Sequence, residues 1–196
     1  MAQPTVLIVP GLRDHVEQHW QTLLAARLPN VRTVPPMGRT NLDVAARVEA
    51  IDRALLAIAG PVIIVAHSGG VIMLAHWAAW PKRSRKLVRG ALLATPPDFD
   101  RPLPDGYPTM AALAAAGWLP VPRQPLPFPS IVAGSRNDPL ASIERVQQLA
   151  QHWGSRFDDL GDVGHLNPAS GHGEWPQAED YIRELAEPGN RRVSAG

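Results

Sequence analysis

The sequence predicts an α/β fold in one domain, a mostly parallel sheet between helix layers, and three observations carry that prediction. Apolar runs bounded by Gly or Pro recur along the chain, and helix-period stretches lie between them. Two of the runs, Val62-Ile63-Ile64-Val65 and Ala91-Leu92-Leu93-Ala94, are apolar without interruption. Such a run suits a strand covered on both faces, the condition of a parallel sheet whose crossovers are helices.

Taken in order, the candidate strands run from Thr5 to Val9, Val31 to Val34, Pro61 to Ala66, Val88 to Ala94, Pro129 to Ala133 and, more weakly, Arg156 to Leu160. Val44, Val48, Ile51, Leu55 and Ile58 fall on one helical face, and Ile143, Val146, Ala150 and Trp153 on another, with Ser142 as the N-cap of the latter. The alternation breaks between 96 and 127, a proline-rich stretch holding an Ala-rich helical segment from Thr109 to Ala116 and then Trp118. A connection this long inside one domain is expected to be functional, here a small cap over the sheet edge where substrate enters; an irregular structural loop is the alternative. The domain is expected to span 1–187 and the polar tail 188–196 to be flexible.

Composition excludes several classes. At 196 residues the chain can bury a core unaided, and 45% hydrophobic with 19% charged residues suits an ordinary globular protein. Without cysteine there is no disulfide framework, thiol nucleophile or thiolate metal site. A formal charge of +1 supplies no global field for nucleic acid or anionic membrane. The basic run Lys82-Arg83-Ser84-Arg85-Lys86 holds no aromatic for base stacking and reads as a solvated loop. No stretch is apolar enough for a membrane span, and the N-terminal residues lack a signal-peptide pattern, so the expected location is the cytoplasm.

The chemistry centres on Val62-Ile63-Ile64-Val65-Ala66-His67-Ser68-Gly69-Gly70, a buried-strand pattern that turns within a few residues into a helical one. That is the context of a nucleophile elbow, in which the residues two before and two after the serine must be small so that strand and helix backbones can pass. Ala66 stands where glycine is usual and meets the same steric need. A Ser-Gly-Gly helix opening also serves as an N-cap or a phosphate cradle, so the motif alone leaves those readings open. Should Ser68 be a nucleophile, an oxyanion needs one N–H from the following residue, Gly69, and another from a neighbouring loop. Val9-Pro10-Gly11-Leu12 ends the first strand, and in the strand order 2-1-3-4-5-6 strands one and three are neighbours at the switch point, which brings the Leu12 amide towards Ser68.

In this architecture the acid and the histidine follow the serine, each at a later strand end. Asp138 lies in Gly134-Ser135-Arg136-Asn137-Asp138-Pro139, and His165 in Gly161-Asp162-Val163-Gly164-His165-Leu166-Asn167. His172, further along the same loop, is the rival base; Asp98, Asp158, Asp159 and Asp162 are rival acids. His67 reads as structural, and His19-Trp20 and His76-Trp77 as packing. The histidines show no His-Glu-x-x-His or comparable ligand spacing, so no metal is expected. Trp118 is the candidate apolar wall of an acyl site, or else a pin between the insertion and the sheet.

Val9-Pro10-Gly11-Leu12, His19-Trp20-Gln21, Ala66-His67-Ser68-Gly69-Gly70, Ser135-Arg136-Asn137-Asp138-Pro139 and Gly164-His165-Leu166-Asn167, with Ser170-Gly171-x-Gly173-x-Trp175-Pro176, together resemble the small serine-hydrolase family that includes retinoblastoma-binding protein nine and bacterial YdeN-like proteins. The resemblance spans about residues 5 to 187. It implies a compact six-stranded α/β-hydrolase in which Ser68, Asp138 and His165 match the family triad. The expectation is then a serine hydrolase acting on a small-molecule acyl ester or amide, with no cofactor and no protein partner indicated. A catalytically weak interaction module on the same fold is the alternative from another class.

Overall fold

Val6 and Ile8 of the first strand face one helix layer while Leu7 and Val9 face the other, and this period-two division continues across the sheet. The computed structural model describes residues 3–84 and 86–187. Its elements are β1 (Thr5–Val9), α1 (Trp20–Arg27), β2 (Val31–Thr33), α2 (Val44–Leu56), β3 (Val62–His67), α3 (Gly69–Ala79), β4 (Val88–Ala94), α4 (Met110–Ala115), β5 (Ser130–Gly134), α5 (Ile143–Trp153), β6 (Arg156–Asp159) and α6 (Gln177–Ala186). These strands form one sheet in the order β2-β1-β3-β4-β5-β6, and each neighbouring pair runs parallel. The expected α/β class and strand order are found, with ends displaced by a residue or so. The tail 188–196 and Arg85 of the basic run lie outside the described residues.

One core joins Leu7, Ile64, Ala91 and Val132 of the sheet to α2, α3 and α5; the other joins Ile8, Ile63, Leu92 and Ile131 to α1 and α6. Because both faces of β3 are covered, Val62–His67 is buried throughout, which explains the unbroken apolar run. α3 runs beneath the sheet with little solvent contact, and eight of its residues are buried, from Gly69 to Ala75 and Trp77. The amphipathic α5 starts as expected, with Ser142 Oγ accepting from the Arg145 N–H at 3.3 Å, and stops at Gly154 in the left-handed region at φ 65°. No helix among the described residues is long and apolar enough to cross a membrane.

Between β4 and β5, the segment 96–127 does two different things. Its first part, carrying Pro97, Phe99, Leu103 and Tyr107, lines a cleft at the carboxyl ends of the strands. Its second part packs on α2 and α3: Thr109 caps α4, the Val44 N–H donates to the Ala116 carbonyl at 3.2 Å, and Leu113 and Trp118 are fully buried in the first core.

Candidate active site

Ser68 sits between β3 and α3 with φ 55° and ψ −130°, a positive-φ conformation that a side chain adopts only under constraint. The constraint is visible. The Ser68 N–H donates to the Ala94 carbonyl at 2.9 Å, and its own carbonyl accepts from Val71 at 2.9 Å, so the residue is tied to β4 behind it and α3 ahead. Gly70 passes under the β1 loop so closely that a Cβ there would lie 2.5 Å from the Val9 carbonyl oxygen and 2.7 Å from that of Pro10. Gly11 passes over the turn, where a Cβ would meet Ser68 Cβ at 3.0 Å. A Cβ on Gly69 would come within 2.9 Å of Leu12 Cγ and 3.5 Å of Leu12 N, so the two backbone segments expected to share an oxyanion lie against each other.

The side chains drawn from three strand ends meet at this turn. His165 Nε2 lies 2.8 Å from Ser68 Oγ, and Nδ1 lies 2.8 Å from Asp138 Oδ2 and 3.0 Å from Oδ1. A carboxylate only accepts, so Nδ1 carries the proton and Nε2 is left to accept the Ser68 hydroxyl. His165 and Asp138 are both buried, at 4% and 9% exposure, which excludes water as a competing partner for the pair. Asp138 Oδ1 also accepts the Leu140 N–H at 2.9 Å, which fixes the carboxylate. The arrangement can move a proton from Ser68 to His165 and hold the resulting imidazolium against Asp138.

Neighbouring loops hold His165 in place. Its N–H donates to Ser170 Oγ at 2.9 Å, and Ser170 in turn donates to Asn167 Oδ1 at 2.9 Å. Asn137 Oδ1 accepts from the Gly164 N–H at 2.6 Å and from Ser135 Oγ at 3.0 Å, stitching the β5 and β6 loops together. Behind the ring, His67 Nε2 donates to the His165 carbonyl at 2.9 Å, and His19 packs edge-on to His67 at 4.8 Å between centroids. Burial, with Arg13 and His165 adding to it, pushes the His19 imidazole down to about 3, and burial likewise lowers His67, so both stand neutral behind His165 at neutral pH. Gln21 Nε2 donates to the carbonyls of Val9 and Val65, each at 3.2 Å, and so clamps β1 to β3 at the ends that carry the site.

A cleft of about 270 Å³ opens beside Ser68. Arg39 crosses its rim: Nε donates to the Leu12 carbonyl at 3.1 Å, Nη1 to the Gly106 carbonyl at 3.0 Å, and the guanidinium stacks 4.6 Å from the Tyr107 ring centroid. The apolar wall comes from Phe99, Leu103 and Leu140.

The structure thus brings Ser68, His165, Asp138, Gly69 and Leu12 together. Trp118 is a correction to the sequence expectation of an acyl-site wall. It is fully buried and does not line the cleft; its indole N–H donates to the Leu42 carbonyl at 2.6 Å, and Phe99 stands against it at 5.5 Å between centroids. Of the rivals, Asp98 takes Arg145, Asp159 takes Arg136, Asp158 takes the Tyr181 hydroxyl, the His172 N–H donates to the Asn167 carbonyl, and Asp162 is not among the partners of His165. Among the described residues no group of three or more acidic or histidine side chains is gathered as for a metal ion. Sequence reasoning did not single out Phe99, Arg39, Gln21 or Asn137. Only Gln21 and Asn137 left a signal, inside the stretches His19-Trp20-Gln21 and Ser135-Arg136-Asn137-Asp138-Pro139.

The sequence profile described as serine hydrolase matches residues 6–184. Among solved structures, the chain is similar to a Pectobacterium atrosepticum protein described as a YdeN-like hydrolase, with 29% identity, 94% of this chain and 91% of that one covered, and a TM-score of 0.78. It shares its fold with the ydeN gene product of B. subtilis, at 16% identity, coverage of 93% and 98%, and a TM-score of 0.64. The same holds for a thermophilic esterase from Thermogutta terrifontis, at 17% identity, coverage of 94% and 91%, and a TM-score of 0.61. No curated protein sequence matches the chain.

Proposed function

The chain belongs to the serine hydrolase family over residues 6–184, and from that premise we propose that it cleaves small acyl esters or amides through a Ser68-His165-Asp138 triad and an acyl-enzyme. The observation that carries this reading is the unbroken chain from Ser68 Oγ through both His165 nitrogens to Asp138, with 2.8 Å at each link, on a serine held at positive φ. Ser68 Oγ attacks the acyl carbonyl as His165 Nε2 takes its proton, and the N–H groups of Gly69 and Leu12 receive the developing oxyanion. His165 then protonates the departing alcohol or amine. Water, deprotonated by the same nitrogen, releases the acid and restores Ser68. Asp138 holds the tautomer and stabilises the imidazolium throughout. The steps call on no cofactor.

The size of the cleft supports small substrates. At about 270 Å³ it falls below the usual span of drug-sized pockets, and Phe99 with Trp118 behind it blocks extension into the core. Acetyl to butyryl esters should therefore show higher kcat/KM than palmitoyl esters. The direct test is labelling with a fluorophosphonate. A single stoichiometric adduct at Ser68, absent in Ser68→Ala, is expected; an unlabelled wild type, or labelling that persists in the alanine variant, overturns the assignment and favours an interaction module.

A further inference from the structure

The cleft lining joins apolar side chains to two arginines, Arg13 and Arg39, and carries no Asp or Glu. The hydrogen bonds these arginines make go to neutral oxygens. Arg13 Nη1 donates to the Asp14 carbonyl at 3.0 Å and Nη2 reaches Gln21 Oε1 at 3.5 Å; Arg39 donates to the Leu12 and Gly106 carbonyls. Neither is in an ion pair among the described residues, whereas Arg27, Arg136, Arg145 and Arg156 each meet a carboxylate.

The nearby carboxylates do not supply the missing charge. Asp138 is buried and bound to His165, and Asp14 is exposed with its carboxylate against Gly38, off the cleft lining. Burial lowers the Arg13 guanidinium to about 10, which leaves it charged at neutral pH, while His19 is neutral and adds no charge. A recess lined by one sign of charge concentrates the opposite ion, and a guanidinium offers a planar fork suited to carboxylate or phosphate oxygens.

We propose that the cleft selects acyl compounds bearing an anionic group, a carboxylate or a phosphate, which Arg13 and Arg39 receive while Phe99, Leu103 and Leu140 take a short apolar portion. The proposal rests on the hydrolase reading of Ser68 and narrows it to a substrate class. Arg39 then serves twice, since the guanidinium that meets the anion also holds the Leu12 carbonyl. A substrate that recruits Arg39 would be read by the same loop that supplies the Leu12 amide.

The test uses matched ester pairs with the charge on either side of the scissile bond. The butyryl ester of 4-hydroxybenzoate is compared with that of 4-hydroxybenzamide, and 4-nitrophenyl hemisuccinate with 4-nitrophenyl butyrate. The readout is the ratio of kcat/KM, charged over neutral, in wild type, Arg13→Gln, Arg13→Lys and Arg39→Gln, because comparing ratios cancels intrinsic ester reactivity and any general loss of activity. For at least one pair the ratio should fall about fivefold or more in each glutamine variant and less in Arg13→Lys, and in wild type it should fall as salt is raised. Benzoate and phenyl phosphate, tested as competitive inhibitors of the neutral ester, distinguish carboxylate from phosphate. Ratios for both pairs that ignore the arginines and the salt overturn the proposal. Should neither the charged nor the neutral esters show Ser68-dependent turnover, the hydrolase reading itself fails, and the two failures are thereby told apart.

Discussion

Both ring nitrogens of His165 are occupied, one by Asp138 and one by Ser68, and its backbone is held by Ser170 and His67. His172 lies in the same loop, yet the bond it makes is from its backbone N–H to Asn167. The difference gives a sharp expectation. His165→Gln should lower kcat for a short ester by about a thousandfold or more, since triad members act as a unit. His172→Ala should retain most of the activity, and steady-state kinetics on the two variants side by side checks the ranking. Comparable losses in both would remove the distinction, and a loss confined to His172→Ala would reverse it. Ser68 adds a cost at the same scale: a non-glycine residue at positive φ is strained by about 1–3 kcal/mol, and the bonds to Ala94 and Val71 hold it there.

Among the elements, the segment between β4 and β5 is where sequence and structure part most clearly. Trp118 is anchored by its indole to Leu42 and by its carbonyl to His76 Nε2 at 3.1 Å, and it fixes the segment to the helix layer. Phe99 stands between it and the cleft. Trp118→Ala should therefore cost about 3–5 kcal/mol of stability, the range for emptying a large aromatic site, while leaving chain-length preference as it was. Phe99→Ala should move that preference towards longer acyl groups. Urea unfolding and an acyl-chain series on both variants separate the two roles; a changed chain-length profile in Trp118→Ala alone would restore the indole as the wall. The strands, the amphipathic α2 and α5 and the caps at Ser142 and Thr109 were legible because each is encoded by neighbours within one element. Ser68, Asp138 and His165 were legible because each follows a strand in a fixed chain order. Phe99 and Arg39 were not, because their positions come from contacts such as Trp118 to Leu42 and Arg39 to Gly106, 76 and 67 residues apart, which no local period announces.

For the molecule as a whole, the fold encloses three histidines whose protonation burial disfavours, and this shapes how stability responds to acid. His19, His67 and His76 all have lowered pKa values, burial being the first cause in each case; His19 falls from 6.5 to about 3. The unfolded chain protonates these rings as pH drops below about 6.5, whereas the native state does so only at lower pH, so protons bind preferentially to the unfolded state. For His19 the contribution to stability is accordingly present in full above about 6.5 and is lost progressively towards about 3, worth up to about 1.4 kcal/mol per pH unit within that window, and His67 and His76 act in the same direction. Carboxylates whose pKa values are lowered, such as Asp52 and Asp159, act below their ordinary value of 3.8, so between pH 6 and 4.5 the histidines dominate. Urea midpoints measured across that interval should fall steeply. His19→Asn keeps a side-chain acceptor for the Gln21 N–H that His19 Nδ1 now receives at 3.2 Å, while removing the titrating ring. That variant should show a shallower decline by up to one proton's worth of slope. A slope identical to wild type would mean that His19 is protonated in the native state, and the neutral shell behind His165 would have to be redrawn.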